Sequence, residues 1–230
     1  MALRRELREQ SLTESAQCLM RRPESVVYLR DPLLVAAEAV YQHAILTDFQ
    51  GETISPSKLA KVFLASWDSL QGQIPPKVFK TRRALATLVV DRAAGLLQQY
   101  RAVRPVTPYA RILGTSSATG QYAVLEQRNA AQPIWYALRL RSTTEGIPTP
   151  PRSDVVSLLR WLHLRSSEDE RRHVRVLNCY LQSLITCEQS FPCERSIRNG
   201  LTLLLSNVVS GHEFPSPGDY CLDCQSEACQ

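Results

Sequence analysis

The 230-residue sequence has no uninterrupted run of about 18 apolar residues, which excludes a bilayer-spanning helix of ordinary length. It also lacks an apolar core behind its first arginines. Arg4, Arg5 and Arg8 are interleaved and followed by Glu6, Glu9 and Glu14, which argues against a secretory signal and, through the acids, against a mitochondrial presequence. No Walker loop, GxGxxG turn, HExxH helix or nucleophile elbow is present, so the mechanical signatures of the common phosphate, dinucleotide, zinc-protease and hydrolase sites are missing and a non-enzymatic protein is expected. No solenoid-length repeat occurs either. The compartment expected is the cytoplasm, or the nucleus in a eukaryote.

Lysine is scarce: four residues against 23 arginines, within a balance of 27 basic to 22 acidic side chains and a net charge of +5. Arginine presents a planar fork of donors suited to phosphate and carboxylate, so the bias leans toward an anionic partner, although a charge of this size also serves solubility. A hydrophobic content of 44% with 21% charged residues is that of a chain able to bury a core without a partner.

Apolar spacing predicts a surface helix over residues 3–20, from Leu3, Leu7, Leu12, Ala16 and Leu19. Asp31-Pro32 and Ser55-Pro56 each pair a capping side chain with a proline suited to the first helical turn. They open two further helices, one reaching about Asp48 and the other bearing Leu59, Val62, Phe63 and Leu70. After Pro75-Pro76 a third runs from about Lys77 to Tyr100. A β-hairpin is expected over about 121–141, with Ile134, Tyr136, Leu138 and Leu140 inward and Trp135, Ala137, Arg139 and Arg141 outward. The proline-rich stretch 147–152 reads as a linker. Beyond it come a helix capped by Ser153-Asp154, a second opened by the capping box Ser167-x-x-Glu170 and reaching Thr186, and a third over about 194–209. The expected fold is therefore mainly α with a small β-hairpin. A helical N-terminal module (1–146), winged-helix-like in its element order, is followed by the linker, a C-terminal helical module (153–211) and a cysteine-rich tail (212–230).

Two constellations carry the chemistry. In the tail, Cys221-x-x-Cys224 lets two thiolates reach one ion from a tight turn, and Cys229, His212 and Cys193 supply further ligands for tetrahedral zinc. A flexible reduced tail is the plain alternative, since the second CxxC pair of a zinc ribbon is missing. The other constellation is basic. Lys77, Lys80, Arg82 and Arg83 at the start of the third helix, with Arg128, Arg139 and Arg141 on the hairpin, would face phosphates if they converged, and Trp135 could stack on a base. Solvated charged faces and a packed indole are the ordinary readings of the same residues. His163 and His173, flanking Glu168, Asp169 and Glu170, offer a thin acid-base alternative. The expected function is a nucleic-acid-binding protein, possible subunit of a nucleoprotein complex, with a protein-protein adaptor carrying a zinc-stabilised tail as the second reading.

Overall fold

The computed structural model describes residues 5–8, 32–70, 81–113, 116–141, 155–167, 173–181, 185–189, 198–199 and 201–202. Strand β1 (Arg5–Arg8) is followed by helices α1 (Pro32–Phe49), α2 (Pro56–Ser69) and α3 (Arg82–Gln99). Strands β2 (Tyr100–Leu113), β3 (Ser116–Gln127) and β4 (Ile134–Arg141) come next, then α4 (Val155–Ser167), β5 (His173–Tyr180) and β6 (Ile185–Gln189).

The helix starts follow the local chemistry. Ser55 caps α2, its hydroxyl accepting from the Lys58 N–H at 3.5 Å, with Pro56 behind it. At the far end of α1, Gly51 adopts φ 73°, where a side chain would be strained. There Glu52 N–H reaches Thr47 O and Gly51 N–H reaches Asp48 O, both at 3.0 Å, a Schellman closure that only an achiral residue makes cheaply.

The sheet is six-stranded and mixed. β2 runs antiparallel along the whole of β3. The other edge of β3 is shared in succession by β1, parallel beside Ser116 to Thr119, and β4, antiparallel beside Val124 to Glu126. β4 and β5 are parallel over eight residues, and β6 closes the far side antiparallel to β5. Among the described residues β2 has one strand neighbour, and Pro105 and Pro108 lie in it. Proline donates no ladder hydrogen bond and is tolerated on an edge, and the register shifts between Ala102 and Thr107 bend the strand there.

Both faces of this sheet are covered. On one, α1, α2 and α3 pack Val40, Phe63, Trp67, Val89 and Leu97 against Leu125, Tyr136, Leu138, Leu177 and Cys179. On the other, α4 packs Leu158, Leu159, Trp161 and Leu162 against Tyr122, Val124, Trp135, Ala137, Val174 and Val176, with Leu201 beside them. Alternate residues of a single strand thus belong to different cores, as the period-two geometry of a strand requires.

This architecture overturns the expectation of a mainly helical, winged-helix-like protein: the chain is mixed α/β, three helices and one helix sandwiching a sheet. The hairpin pairing is present, Val124 opposite Ala137 and Glu126 opposite Trp135, but its strands lie inside a larger sheet and form no exposed wing. Residues 5–8 form a strand on β3 where a surface helix was expected, because the pairing along Ser116 to Thr119 satisfies their backbone. The helix expected from Ser167 to Thr186 is β5 and β6. A strand buried on both faces reads as a nearly continuous apolar run, which a helical template also fits. The helix expected over 194–209 falls largely outside the described residues, of which 198–199 and 201–202 are helical. The proline-rich stretch 147–152 also lies outside them, and the chain on its two sides supplies the paired strands β4 and β5. No helix among the described residues is long and apolar enough to cross a membrane.

Candidate functional site

Those of the basic residues singled out by sequence that are described occupy separate places. Lys77 and Lys80 lie outside the described residues. Arg82, in the first turn of α3, pairs with Asp68 of α2 at 2.7 Å, and Arg83 beside it is exposed. Arg128 follows β3 and works as a strut. Its Nη2 pairs with Asp48 of α1 at 2.6 Å, and its Nε donates to the Leu97 and Tyr100 carbonyls at 3.0 and 3.1 Å, capping the C-terminal end of α3. Arg139 is buried beneath α4, donating to Ser157 Oγ at 3.2 Å; Ser157 in turn donates to the Asn178 carbonyl oxygen, and the Asn178 amide donates to Gln189 Oε1 across β5 and β6. Arg141 lies over the Tyr180 ring and donates to its hydroxyl. Trp135 is buried at 5% exposure with its indole N–H on Glu126, so it offers no open face for a base. The structure does not gather the described ones among these residues into one strip.

A different basic cluster does form, where β2 and β3 meet α4. Toward α4, β2 presents Tyr109 and Arg111 in period two, with Arg104 further back along the strand, and Tyr122 comes from β3. His163 of α4 lies against both phenols, ring centroids 5.6 Å from Tyr109 and 6.0 Å from Tyr122. Arg160 sits over the Tyr122 ring at 5.9 Å and donates to the Leu138 and Gln121 carbonyls at 2.6 and 3.3 Å. Arg111 donates to the Leu162 carbonyl at 2.6 Å and to the Ser166 hydroxyl. Arg104 lies 5.6 Å over the Trp135 indole and Arg165 lies 5.8 Å over Trp161. The carbonyls, hydroxyl and rings named here fix the guanidinium planes. The local potential registers on His163: burial first, then the positive Arg111 and Arg104, hold its pKa below the usual imidazole value.

Sequence reading missed this cluster because β2 was not recognised as a strand. The alternation Thr107, Tyr109, Arg111, Leu113, all but Arg111 buried, was the available signal, obscured by two prolines. The histidines of the acid-base alternative stand in different surroundings, His173 at the start of β5 meeting Gln132 at 3.0 Å, while Glu168, Asp169 and Glu170 lie outside the described residues.

On the opposite face, Glu188 of β6 accepts from the Tyr136 hydroxyl at 3.0 Å and the Tyr100 hydroxyl at 3.4 Å and pairs with Arg175. Burial, then Glu188, pushes Tyr100 up to about 12 and moves Tyr136 in the same direction, so both phenols stay protonated and act as donors. The proposed zinc ligands Cys193, His212, Cys221, Cys224 and Cys229 lie outside the described residues. Within them no three His, Cys, Asp or Glu side chains are placed to hold a metal ion.

No protein-family model and no curated protein matches the sequence. A solved structure described as "Crystal structure of SSO0001" is similar to this chain at 10% identity, covering 90% of this chain and 87% of the other, with a TM-score of 0.34. A superposition that loose assigns neither fold nor activity.

Proposed function

We propose that the chain is a nucleic-acid-binding protein that recognises the phosphate backbone through the face built by β2, β3 and α4. The observation that supports this reading is the convergence of Arg104 and Arg111 from β2 with Arg160 and Arg165 from α4 around Tyr109, Tyr122 and His163. Tyr109, Tyr122, Trp135 and Trp161 are each at most 5% exposed, so the rings orient arginines and do not stack bases. Recognition of this kind reads charge and spacing and leaves base identity unread.

Backbone binding by a few arginines has a defined salt signature. Each neutralised phosphate releases a counterion, so two to four contacts give a slope of log affinity against log salt of about −2 to −4 on duplex DNA. Fluorescence anisotropy with a labelled duplex and a single strand of equal length, at two salt concentrations, measures it. Arg104→Ala and Arg165→Ala together are expected to weaken binding about tenfold or more and to flatten the slope, with Arg83→Ala neutral. Binding that is absent at micromolar protein, or insensitive to salt, removes the reading.

A protein-docking role is the second reading. It draws on four large apolar residues that stand exposed, Leu46, Phe49, Val106 and Ile112, the last at 55%. Apolar docking lacks the salt slope, so the same titration separates the two.

A further inference from the structure

On the face away from the basic cluster, a cavity of about 120 Å³ lies between α1, α3 and the β5–β6 pair, lined in part by Tyr41, Arg92, Gly95, Gln99, Cys179 and Thr186. That is room for several waters or one small ligand. Its lining is rich in donors: a guanidinium, a phenol, a hydroxyl and a primary amide. Arg92 is partly buried, and its Nη2 is buried with no hydrogen-bond partner among the described residues. Asp91, next to it in sequence, also contributes to the lining and, like Gln99 and Thr186, stands exposed at the rim.

A guanidinium donor taken out of water and left unmatched costs more than a neutral one, so its site normally holds a counter-charge or an ordered polar group. The neighbouring groups stay in their donating forms. Burial raises the Tyr41 phenol well above its ordinary range, and burial pushes the Cys179 thiol up to about 11. Neither group supplies a negative charge to Arg92 at neutral pH.

We propose that this cavity binds a small oxyanion of the phosphate or sulfate class, held by Arg92 with Tyr41, Thr186 and Gln99 completing its donors. The proposal is independent of the nucleic-acid reading, since no residue is common to the two sites.

Gly95 supplies a variant that blocks the cavity while leaving Arg92 in place. A Cβ built on it meets no atom within 4 Å, so the position admits a side chain, and Gly95→Leu is designed to fill the space. The experiment is titration calorimetry of the full chain with inorganic phosphate against sodium chloride of matched ionic strength. One saturable phosphate site per chain is expected in the wild type, weakened at least tenfold in both Arg92→Gln and Gly95→Leu and unchanged in Arg104→Ala. Circular dichroism checks that each variant is folded, and Gly95→Leu keeps the test decisive if Arg92→Gln does not fold. No phosphate heat beyond the chloride control means that the cavity holds water alone and overturns the proposal. So does phosphate binding that survives Gly95→Leu or disappears in Arg104→Ala, because the anion is then bound elsewhere.

Discussion

His163 shows how a single side chain reports the charge around it. Its folded-state pKa is lowered by burial and then by Arg111 and Arg104, while in the unfolded chain it titrates near the ordinary value of about 6.5. As pH falls through that value, the unfolded chain takes up a proton that the folded chain refuses. Stability from this residue is therefore complete above about 6.5 and declines below it. His163→Gln is expected to flatten that decline, read as a smaller drop in urea midpoint between pH 7.5 and pH 5.5 than in the wild type. Equal drops in the two proteins would show that His163 does not sense this field. Bound nucleic acid should oppose the effect of the arginines and favour protonation, so oligonucleotide affinity is expected to rise toward pH 5.5 in the wild type and less in the variant. The residue was visible in sequence only as a possible acid-base partner, because the side chains that give it meaning come from β2, more than fifty positions earlier.

Among elements, the junction of α1, α3 and β2 is held by one polar knot. Asp48 at the end of α1 accepts from Arg128 and, through its other oxygen, from the Ala102 N–H at 2.7 Å, while Arg128 also holds the Leu97 and Tyr100 carbonyls. Arg128→Ala removes a half-exposed ion pair and two helix-terminal hydrogen bonds, and is expected to cost about 2 kcal/mol. A double-mutant cycle with Asp48→Ala, measured by urea denaturation, should give a coupling of about 1 kcal/mol, and a coupling near zero would reduce the pair to a surface contact. Helices α1 and α2 were legible because Asp31-Pro32 and Ser55-Pro56 mark their starts, and α3 because its apolar residues recur at helical spacing after Pro75-Pro76. The strands were less so. β5 buries Val174, Val176 and Asn178 toward α4 and Leu177 and Cys179 toward α1 and α3, so neither face leaves the polar stripe that identifies a half-buried strand. The capping box at Ser167 then lent a helix reading to a segment whose fate is set by pairing with β4, a long-range contact that local pattern does not contain. The cluster on β2 and α4 was not legible for the same reason: its arginines are assembled by strand pairing, whereas the Lys77 to Arg83 cluster is conspicuous because its members are adjacent in sequence.

For the molecule as a whole, the decisive feature is that the sheet belongs to two cores at once. Tyr136 and Leu138 face α1 to α3 while Trp135 and Ala137 on the same strand face α4, and Leu125 and Val124 divide likewise on β3. Stripping α4 from one face would wet residues whose strand is also the floor of the other core, so neither half has a complete hydrophobic interior of its own. Cooperative unfolding follows, even though a proline-rich stretch lies between β4 and β5. The three tryptophans of the chain test this directly. Trp67 is 1% exposed in the α1–α3 core, whereas Trp135 and Trp161 are 5% and 3% exposed in the α4 core. A Trp67→Phe variant reports by fluorescence only on the α4 side, and a Trp135→Phe/Trp161→Phe variant only on the helical side. Each is compared with far-ultraviolet circular dichroism of the same variant in a urea titration. The fluorescence and dichroism midpoints are expected to coincide within each variant, as a two-state unit requires. If the α4-side fluorescence instead melts at lower urea than the bulk secondary structure, the two faces are separable folding units and the shared sheet does not couple them.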